Sequence, residues 1–222
     1  MKIIGHRGAR GLAPENTIAS FDAAIAHNVA AIEIDVRTSK DSIPVVLHDK
    51  YVIIGGLRRL VSQSTYSELV QSLPGLLTFD AALEYTSHRV SVIVEIKPEV
   101  QIAPILQVLK LYAVRMASGL TIQVASFDYK ILWAVHKNLP EIEIVINDAW
   151  SGVRATHRAR KLSTKYIAMN QRWLWSGFIS SLTRNGYKLS AYTLNDIKKA
   201  RRFERAGLYA CITDFPDRFN TR

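Results

Sequence analysis

Apolar and polar residues alternate along this chain in short runs. The first is Lys2-Ile3-Ile4-Gly5-His6-Arg7-Gly8, the second Ala31-Ile32-Glu33-Ile34-Asp35-Val36, and the third, after a short polar turn, Val45-Val46-Leu47-His48-Asp49. Each reads as a strand. Alternate side chains of a strand point to opposite faces, so Glu33 and Asp35 share one face and Ile32, Ile34 and Val36 the other. Further strand-like runs cover 91–97, 121–126, 141–147, 165–169, 187–193 and 210–213. Most are rich in Ile and Val, and all are short, as buried strands tend to be. Apolar residues at helical spacing fill the intervals. One set, over 15–28, follows Pro14 and puts Ile18, Phe21, Ala24 and Ile25 on one face. Others run over 98–117, 127–138, 151–162, 174–185 and 195–206, and Gly186 and Gly207 follow the last two where a helix is expected to stop.

Leaving out the return arm of the first hairpin, this is eight strands, each followed by a helix or loop. The order predicts a (β/α)8 TIM barrel, with a doubly wound sheet as the alternative. The chain reads as one domain over 1–222. Its segment 51–77 fits no β/α unit and is expected to form a small insertion over the mouth, with a helical turn near 67–72.

Two neighbouring carboxylates repel unless something positive lies between them, and a divalent cation with oxygen ligands answers that need. The segment Thr38-Ser39-Lys40-Asp41-Ser42 is a turn signal. A turn centred between Asp41 and Ser42 would set His48 opposite Asp35, roughly 5 Å away across the strands. The first strand need only lie beside the second to bring His6 to the same place. In Val92-Ile93-Val94-Glu95-Ile96-Lys97, Glu95 and Lys97 share the polar face. Glu95 would be a third carboxylate, and Lys97 a fixed positive charge suited to an anionic oxygen or to neutralising Glu95. Three carboxylates suit one hard ion, Mg2+ or Ca2+, and no cysteine cluster or histidine-rich spacing suggests zinc. In a barrel these residues fall at the C-terminal strand ends, where active sites lie.

Composition adds a little. The chain has 222 residues, 48% hydrophobic and 22% charged, as in an ordinary globular protein. The single cysteine, Cys211, excludes an internal disulfide, and its apolar neighbours make it a buried, inert thiol. A strand beginning at residue 2 leaves no room for a leader, no apolar stretch is long enough to span a membrane, and a cytoplasmic location is expected. Net charge is +10, with basic runs over 154–161 and 198–205. They read as solvated helix faces, or as attraction to phosphate or an anionic surface.

The stretch His6-Arg7-Gly8 … Pro14-Glu15-Asn16-Thr17 resembles the HRG-x-PENT signature of the glycerophosphodiester phosphodiesterases. Glu33-x-Asp35, His48-Asp49 and Glu95-x-Lys97 follow in the family's order. Ala191-Tyr192-Thr193-Leu194-Asn195 and Ile212-Thr213-Asp214-Phe215-Pro216 look like its WTxN and ITDxP elements. The resemblance spans residues 3 to about 217. It implies a metal-dependent TIM-barrel phosphodiesterase acting on small-molecule glycerophosphodiesters, releasing glycerol 3-phosphate and an alcohol. It implies Glu33, Asp35 and Glu95 as metal ligands, His6 and His48 as catalytic residues, Arg7 and Lys97 as phosphate contacts, and Glu15 and Asn16 as shaping the first loop. Tyr192 stands where the family has Trp, so that its ring would stack on the alcohol and its hydroxyl add a polar contact. The residues after His48 lack the family's Arg-Thr-Thr, and the insertion is short. These departures bear on the headgroup more than on the reaction.

One imidazole must take a proton from the attacking hydroxyl, of water or of the substrate itself, and the other must give one to the leaving alkoxide. His6 is read as base and His48 as acid. Three rival readings carry distinct expectations. A phospholipase D-like enzyme on lysophospholipids would use the same constellation, with the basic surface and the apolar 51–57 loop making peripheral contact with a lipid aggregate. A silent phosphate-binding barrel is disfavoured by the intact His, Glu and Asp set. Nucleic-acid binding is not expected, since charge alone suggests it.

Overall fold

The computed structural model describes residues 1–219; the last three residues of the span 1–222 lie outside the description. In chain order the elements are β1 (Lys2–Gly5), α1 (Ile18–Ala26), β2 (Ala31–Thr38), β3 (Pro44–Val46), β4 (Tyr51–Ile54), β5 (Leu57–Leu60), α2 (Tyr66–Ser72), α3 (Phe79–Thr86) and β6 (Ser91–Ile96). Then come α4 (Ile102–Ala113), β7 (Ile122–Ser126), α5 (Tyr129–Asn138), β8 (Glu143–Asp148), α6 (Gly152–Lys161), β9 (Tyr166–Asn170), α7 (Ser176–Arg184), β10 (Lys188–Tyr192), α8 (Ile197–Arg205) and β11 (Ala210–Thr213). Strands β1, β2, β6, β7, β8, β9, β10 and β11 pair in parallel, each with the next, and β11 returns to β1. Closure of this ring with helices between the strands is a (β/α)8 TIM barrel, and it removes the doubly wound alternative.

The alternation read along the strands has two separate destinations. Ile32, Ile34 and Val36 of β2 and Val92, Val94 and Ile96 of β6 point outward into one large core shared with Phe21, Leu83, Leu109 and Phe203 of the helices. Each such side chain contributes roughly 1.5–3 kcal/mol by leaving water, so this outer layer holds the barrel together. Half of the inward apolar positions are alanine, Ala31, Ala125, Ala168 and Ala210, alongside Ile4, Ile93, Val145 and Ile212. The barrel's centre is therefore only partly filled and keeps a cavity lined from Gln123, Tyr166 and Tyr209 at one end to His6, Glu95 and Asn147 at the other.

Polar residues in the loops after the strands start the helices. Thr17, Asp128, Ser151 and Asp196 each accept a backbone N–H of α1, α5, α6 and α8 respectively, satisfying donors that a helix start leaves open. The two largest departures from the predicted starts are at α1 and α4. α1 begins at Ile18 rather than 15 because residues 14–17 form a turn, with Asn16 at φ 59°. α4 begins at Ile102 rather than 98 because the chain bends at Glu99, φ 63°. Helix α3 is absent from the sequence reading altogether. Its apolar positions follow the 51–77 segment so closely that they merge with it.

The segment expected to be an apolar loop over 51–57 is a β-hairpin. Tyr51 pairs with Leu60 and Ile54 with Leu57 around Gly55-Gly56. Both glycines have positive φ, 58° and 78°, the conformation a two-residue hairpin turn demands. The 3-10 turn Val61–Gln63 and helix α2 complete the segment.

The candidate active site

Pairing of β2 with β6 puts Asp35 directly beside Glu95, and the inward alternation of β2 adds Glu33 one step deeper. One oxygen from each of Glu33, Asp35 and Glu95 lies within 4.8 Å of the others. Lys97 Nζ sits between two of them, 2.6 Å from Asp35 Oδ1 and hydrogen-bonded to Glu95. Asp35 is clasped on its other side by Asn16 Nδ2 at 3.0 Å and Arg7 Nε at 3.2 Å. Glu33 Oε2 accepts the backbone N–H of Arg7 at 3.0 Å. Asn147 Nδ2 donates to Glu95 Oε2 at 3.1 Å.

The charges explain the electrostatics. Burial pushes the Asp35 carboxyl up, but Lys97 and Arg7 beside it, with hydrogen bonds from Lys97 and Asn16, hold it below the usual carboxylate range. Lys97 is itself disfavoured by burial, yet Glu95 and Asp35 keep it firmly protonated. Glu33 has no such cation in contact. Burial, then the charges of Asp35 and Glu95, raise its carboxyl well above the ordinary value. Three carboxylates thus face two cations, and the uncompensated charge falls on Glu33. A divalent ion would supply the missing positive charge, and an all-oxygen donor set of this size fits a hard cation. The residues present fit such an ion.

The first βα turn brings the remaining groups. His6 is anchored by its N–H to Thr213 O at 2.9 Å, and its Nδ1 lies 2.6 Å from Asp214 Oδ1. Asp214 is held in turn by Asn195 Nδ2 at 2.8 Å. Half-burial pushes Asp214 up, but the bonds from His6 and Asn195 outweigh it and keep it ionised below the usual range. Arg7 takes φ 51°, and its Nη1 is gripped by both Glu15 oxygens at 2.8 and 2.9 Å. Gly8 makes the turn possible: at φ 79°, a Cβ would come 2.6 Å from the Ser20 backbone carbon. The cavity beneath is lined by His6, Glu33, Glu95, Asn147 and Tyr192 near the mouth. The Tyr192 hydroxyl is buried there with no hydrogen-bond partner, and burial holds its proton on far above neutral pH. Its ring meets Phe127 edge-on at 6.0 Å.

His48 is placed differently from expectation. The hairpin register pairs Val36 with Val46 and Thr38 with Pro44, and Leu47 N–H bonds Asp35 O at 3.0 Å. Leu47, not His48, therefore faces Asp35. The reason is the turn. Three residues, Lys40 to Ser42, close it, with Ser42 at φ 66° and Ser39 N–H on Ile43 O, the usual form of a three-residue hairpin loop. His48 stands one position past the ladder, with 37% of its side chain exposed, its Nδ1 2.9 Å from Asp49 Oδ1 and its carbonyl accepting from Arg37 Nε at 2.9 Å. It lies outside the cavity lining that includes His6. Cys211, as expected, is buried, with its thiol pushed up to about 12 by burial.

The structure adds Asn147, Asn195 and Asp214 to the site, the last two from the WTxN- and ITDxP-like elements. Asn147 follows the inward alternation of Val145 on β8, and Asp214 directly follows the last residue of β11. The strand-end rule that found Glu95 could have found both.

A family model for the glycerophosphoryl diester phosphodiesterases matches residues 6–218. The chain belongs to the glycerophosphoryl diester phosphodiesterase family. YhdW of Bacillus subtilis (strain 168) is 29% identical over 233 residues, covering 98% of this chain and 96% of YhdW. The glycerophosphodiester phosphodiesterase of Bacillus altitudinis is 26% identical, with the same shares covered. Among solved structures, an Oleispira antarctica phosphodiesterase in complex with the product sn-glycerol-3-phosphate superposes with TM-score 0.89 at 29% identity, covering 98% of this chain and 94% of that one. Glycerophosphodiester phosphodiesterases are phosphoric diester hydrolases, and this member carries a cluster of three carboxylates, Glu33, Asp35 and Glu95, within a closed barrel. No helix among the described residues is long and apolar enough to cross a membrane.

Proposed function

We propose that the protein hydrolyses small glycerophosphodiesters to glycerol 3-phosphate and an alcohol, with one divalent ion, Mg2+ or Ca2+, held by Glu33, Asp35 and Glu95. The observation that carries this reading is the convergence of those three carboxylates within 4.8 Å at the mouth of a barrel of this family, with the His6 imidazole lining the same cavity. The product bound to the Oleispira relative supports the choice of glycerol 3-phosphate. The lysophospholipid alternative has no comparable support.

When bound, the ion supplies positive charge to a phosphodiester whose own anionic oxygens repel a nucleophile. The chain's residues do the rest. Arg7 and Lys97 bring fixed positive charge to the phosphate oxygens and to the charge that grows on them in the transition state. His6 is the general base. Asp214 on its Nδ1 fixes the ring so that Nε2 is the nitrogen that receives the proton of the attacking hydroxyl. His48 is the general acid for the leaving alkoxide. Glu15 holds Arg7, and Asn16 holds Asp35. Tyr192 offers its ring to the glycerol or alcohol carbons and its unpaired hydroxyl to one of their oxygens.

The test is an assay panel of glycerophosphodiesters with EDTA-stripped protein, resupplied in turn with Mg2+, Ca2+ and Mn2+, reading glycerol 3-phosphate. Release with one of the ions and none after stripping is expected. Turnover that survives complete stripping would overturn the metal assignment, and no turnover of any diester would overturn the reaction.

A further inference from the structure

The mouth carries exposed apolar side chains for which the catalytic reading has no use. Three of the four tryptophans, Trp150, Trp173 and Trp175, lie in the loops that follow β8 and β9. Trp150 is 68% exposed, Trp175 62%, and Val153 beside them 81%. The rings of Trp150 and Trp173 meet with centroids 5.5 Å apart, and those of Trp175 and Phe178 at 5.1 Å. Gly152 packs so closely on the Phe178 ring that a Cβ would come 2.7 Å from Cε2, which joins the two pairs into one patch. Soluble surfaces seldom leave such a group together without a partner. Indole combines a broad apolar face with one N–H donor, which suits the boundary between water and hydrocarbon.

The strand order puts β2 and its hairpin extension across the mouth from β9. There the β4–β5 hairpin leaves Ile53 62% and Leu57 61% exposed, on opposite faces of the ribbon just behind its glycine tip, around which nothing lies. Arg58 and Arg59 occupy the same hairpin, both exposed, and Arg172 is exposed next to Trp173. Apolar projections edged with arginine thus stand on opposite sides of one opening, in a chain of net charge +10.

We infer that the mouth face docks on a lipid bilayer that contains anionic lipid. Trp150, Trp173 and Trp175 enter the headgroup region on one side of the opening, Ile53 and Leu57 enter on the other, and Arg58, Arg59 and Arg172 meet lipid phosphates. Charge decides the occupant. Arg58 beside Ile53 and Arg172 beside Trp173 set positive charge next to the apolar projections on both sides, which complements an anionic sheet and would meet the same charges on a second copy. Apolar burial and attraction to anionic lipid act together in such binding. The inference rests on the surface alone, so it is tested without turnover and separately from the reaction.

The experiment is flotation of the full chain with vesicles of phosphatidylcholine alone and of phosphatidylcholine mixed with phosphatidylglycerol, at low and physiological salt. Binding to the mixed vesicles is expected, weaker on phosphatidylcholine alone and weaker as salt rises, with a blue shift of tryptophan emission. The double variant Trp150→Ala/Trp175→Ala should bind about tenfold less tightly, from the apolar area removed. Its turnover of soluble diesters and its melting temperature should stay unchanged. Arg58→Ala/Arg59→Ala should weaken binding to the mixed vesicles only. Failure of the wild-type chain to bind mixed vesicles at low salt would overturn the inference, as would a tryptophan variant that binds like wild type. A wild-type dimer abolished by the tryptophan variant would overturn it too, giving the patch to self-association.

Discussion

The His6 imidazole and the Asp214 carboxylate meet at 2.6 Å, Nδ1 to Oδ1, although 208 positions separate them. A base that must accept a proton at Nε2 needs its other nitrogen committed, and Asp214 commits it. Asp214→Asn should therefore cut kcat by about a hundredfold, with little change in KM and a distorted pH–rate profile. An Asp214→Asn enzyme with wild-type kcat would leave the pair a purely structural contact.

The two histidines should each be indispensable. His6→Ala and His48→Ala are expected to lower kcat by roughly 10²–10⁴ while circular dichroism and melting stay as in the wild type, because neither ring is part of the apolar core. Substantial activity in His48→Ala, whose ring is the more exposed of the two, would mean that another group or water protonates the leaving alcohol.

Asp35→Asn should raise the concentration of divalent ion needed for half-maximal activity at least about tenfold. It also strands Lys97 and Arg7 beside a neutral amide, so the stripped protein should melt lower than wild type. Titration of activity with Mg2+ and Ca2+, together with melting curves of both stripped proteins, checks the two effects separately.

Tyr192→Phe removes a buried hydroxyl that has no partner. Stability should hold or rise by up to about 1 kcal/mol, since an unsatisfied buried group is relieved. If the hydroxyl meets the substrate, KM for the diester should rise at the same time. A melting temperature that falls would show that the hydroxyl is paired in solution.

Asp148, at the end of β8, is buried. Burial raises its carboxyl, but hydrogen bonds from Arg154 at 2.6 and 2.9 Å and from the backbone N–H of Trp150 and Ser151 outweigh it and hold it below the usual range. A group with a depressed folded pKa gives stability that is complete above its unfolded value, about 3.9 for Asp, and is lost as pH falls through the folded value. Asp148→Ala should cost about 1–2 kcal/mol near neutrality, discounted because Arg154 is half exposed and stays solvated. Melting temperatures of variant and wild type should converge only in strong acid. A gap that persists unchanged there would remove the carboxylate's charge from the explanation.

Much of this arrangement is legible in the chain because strand alternation has no freedom. Once Ile32, Ile34 and Val36 face the helices, Glu33 and Asp35 must face the barrel's interior, and the same holds for Glu95 and Lys97. Turns are less constrained. Residues 38–42 signal a turn without saying whether two or three residues close it, and the left-handed Ser42 shifts His48 by one position. Helix α3 is hidden because its apolar spacing continues that of a segment that packs elsewhere. Asp214 is visible as a strand-end acid, but its pairing with His6 is not, because the two lie at opposite ends of the chain and only closure of β11 onto β1 makes them neighbours.

That closure has a consequence for how the enzyme comes into being. Nascent chain as far as Lys97 holds every acid of the proposed ion site, yet lacks the carboxylate bonded to His6 and the wall formed by β7 to β11. Catalytic competence thus arrives only with the final strand. Truncated or half-made copies present the acids without the chemistry, and activity itself reports that the ring has been sealed.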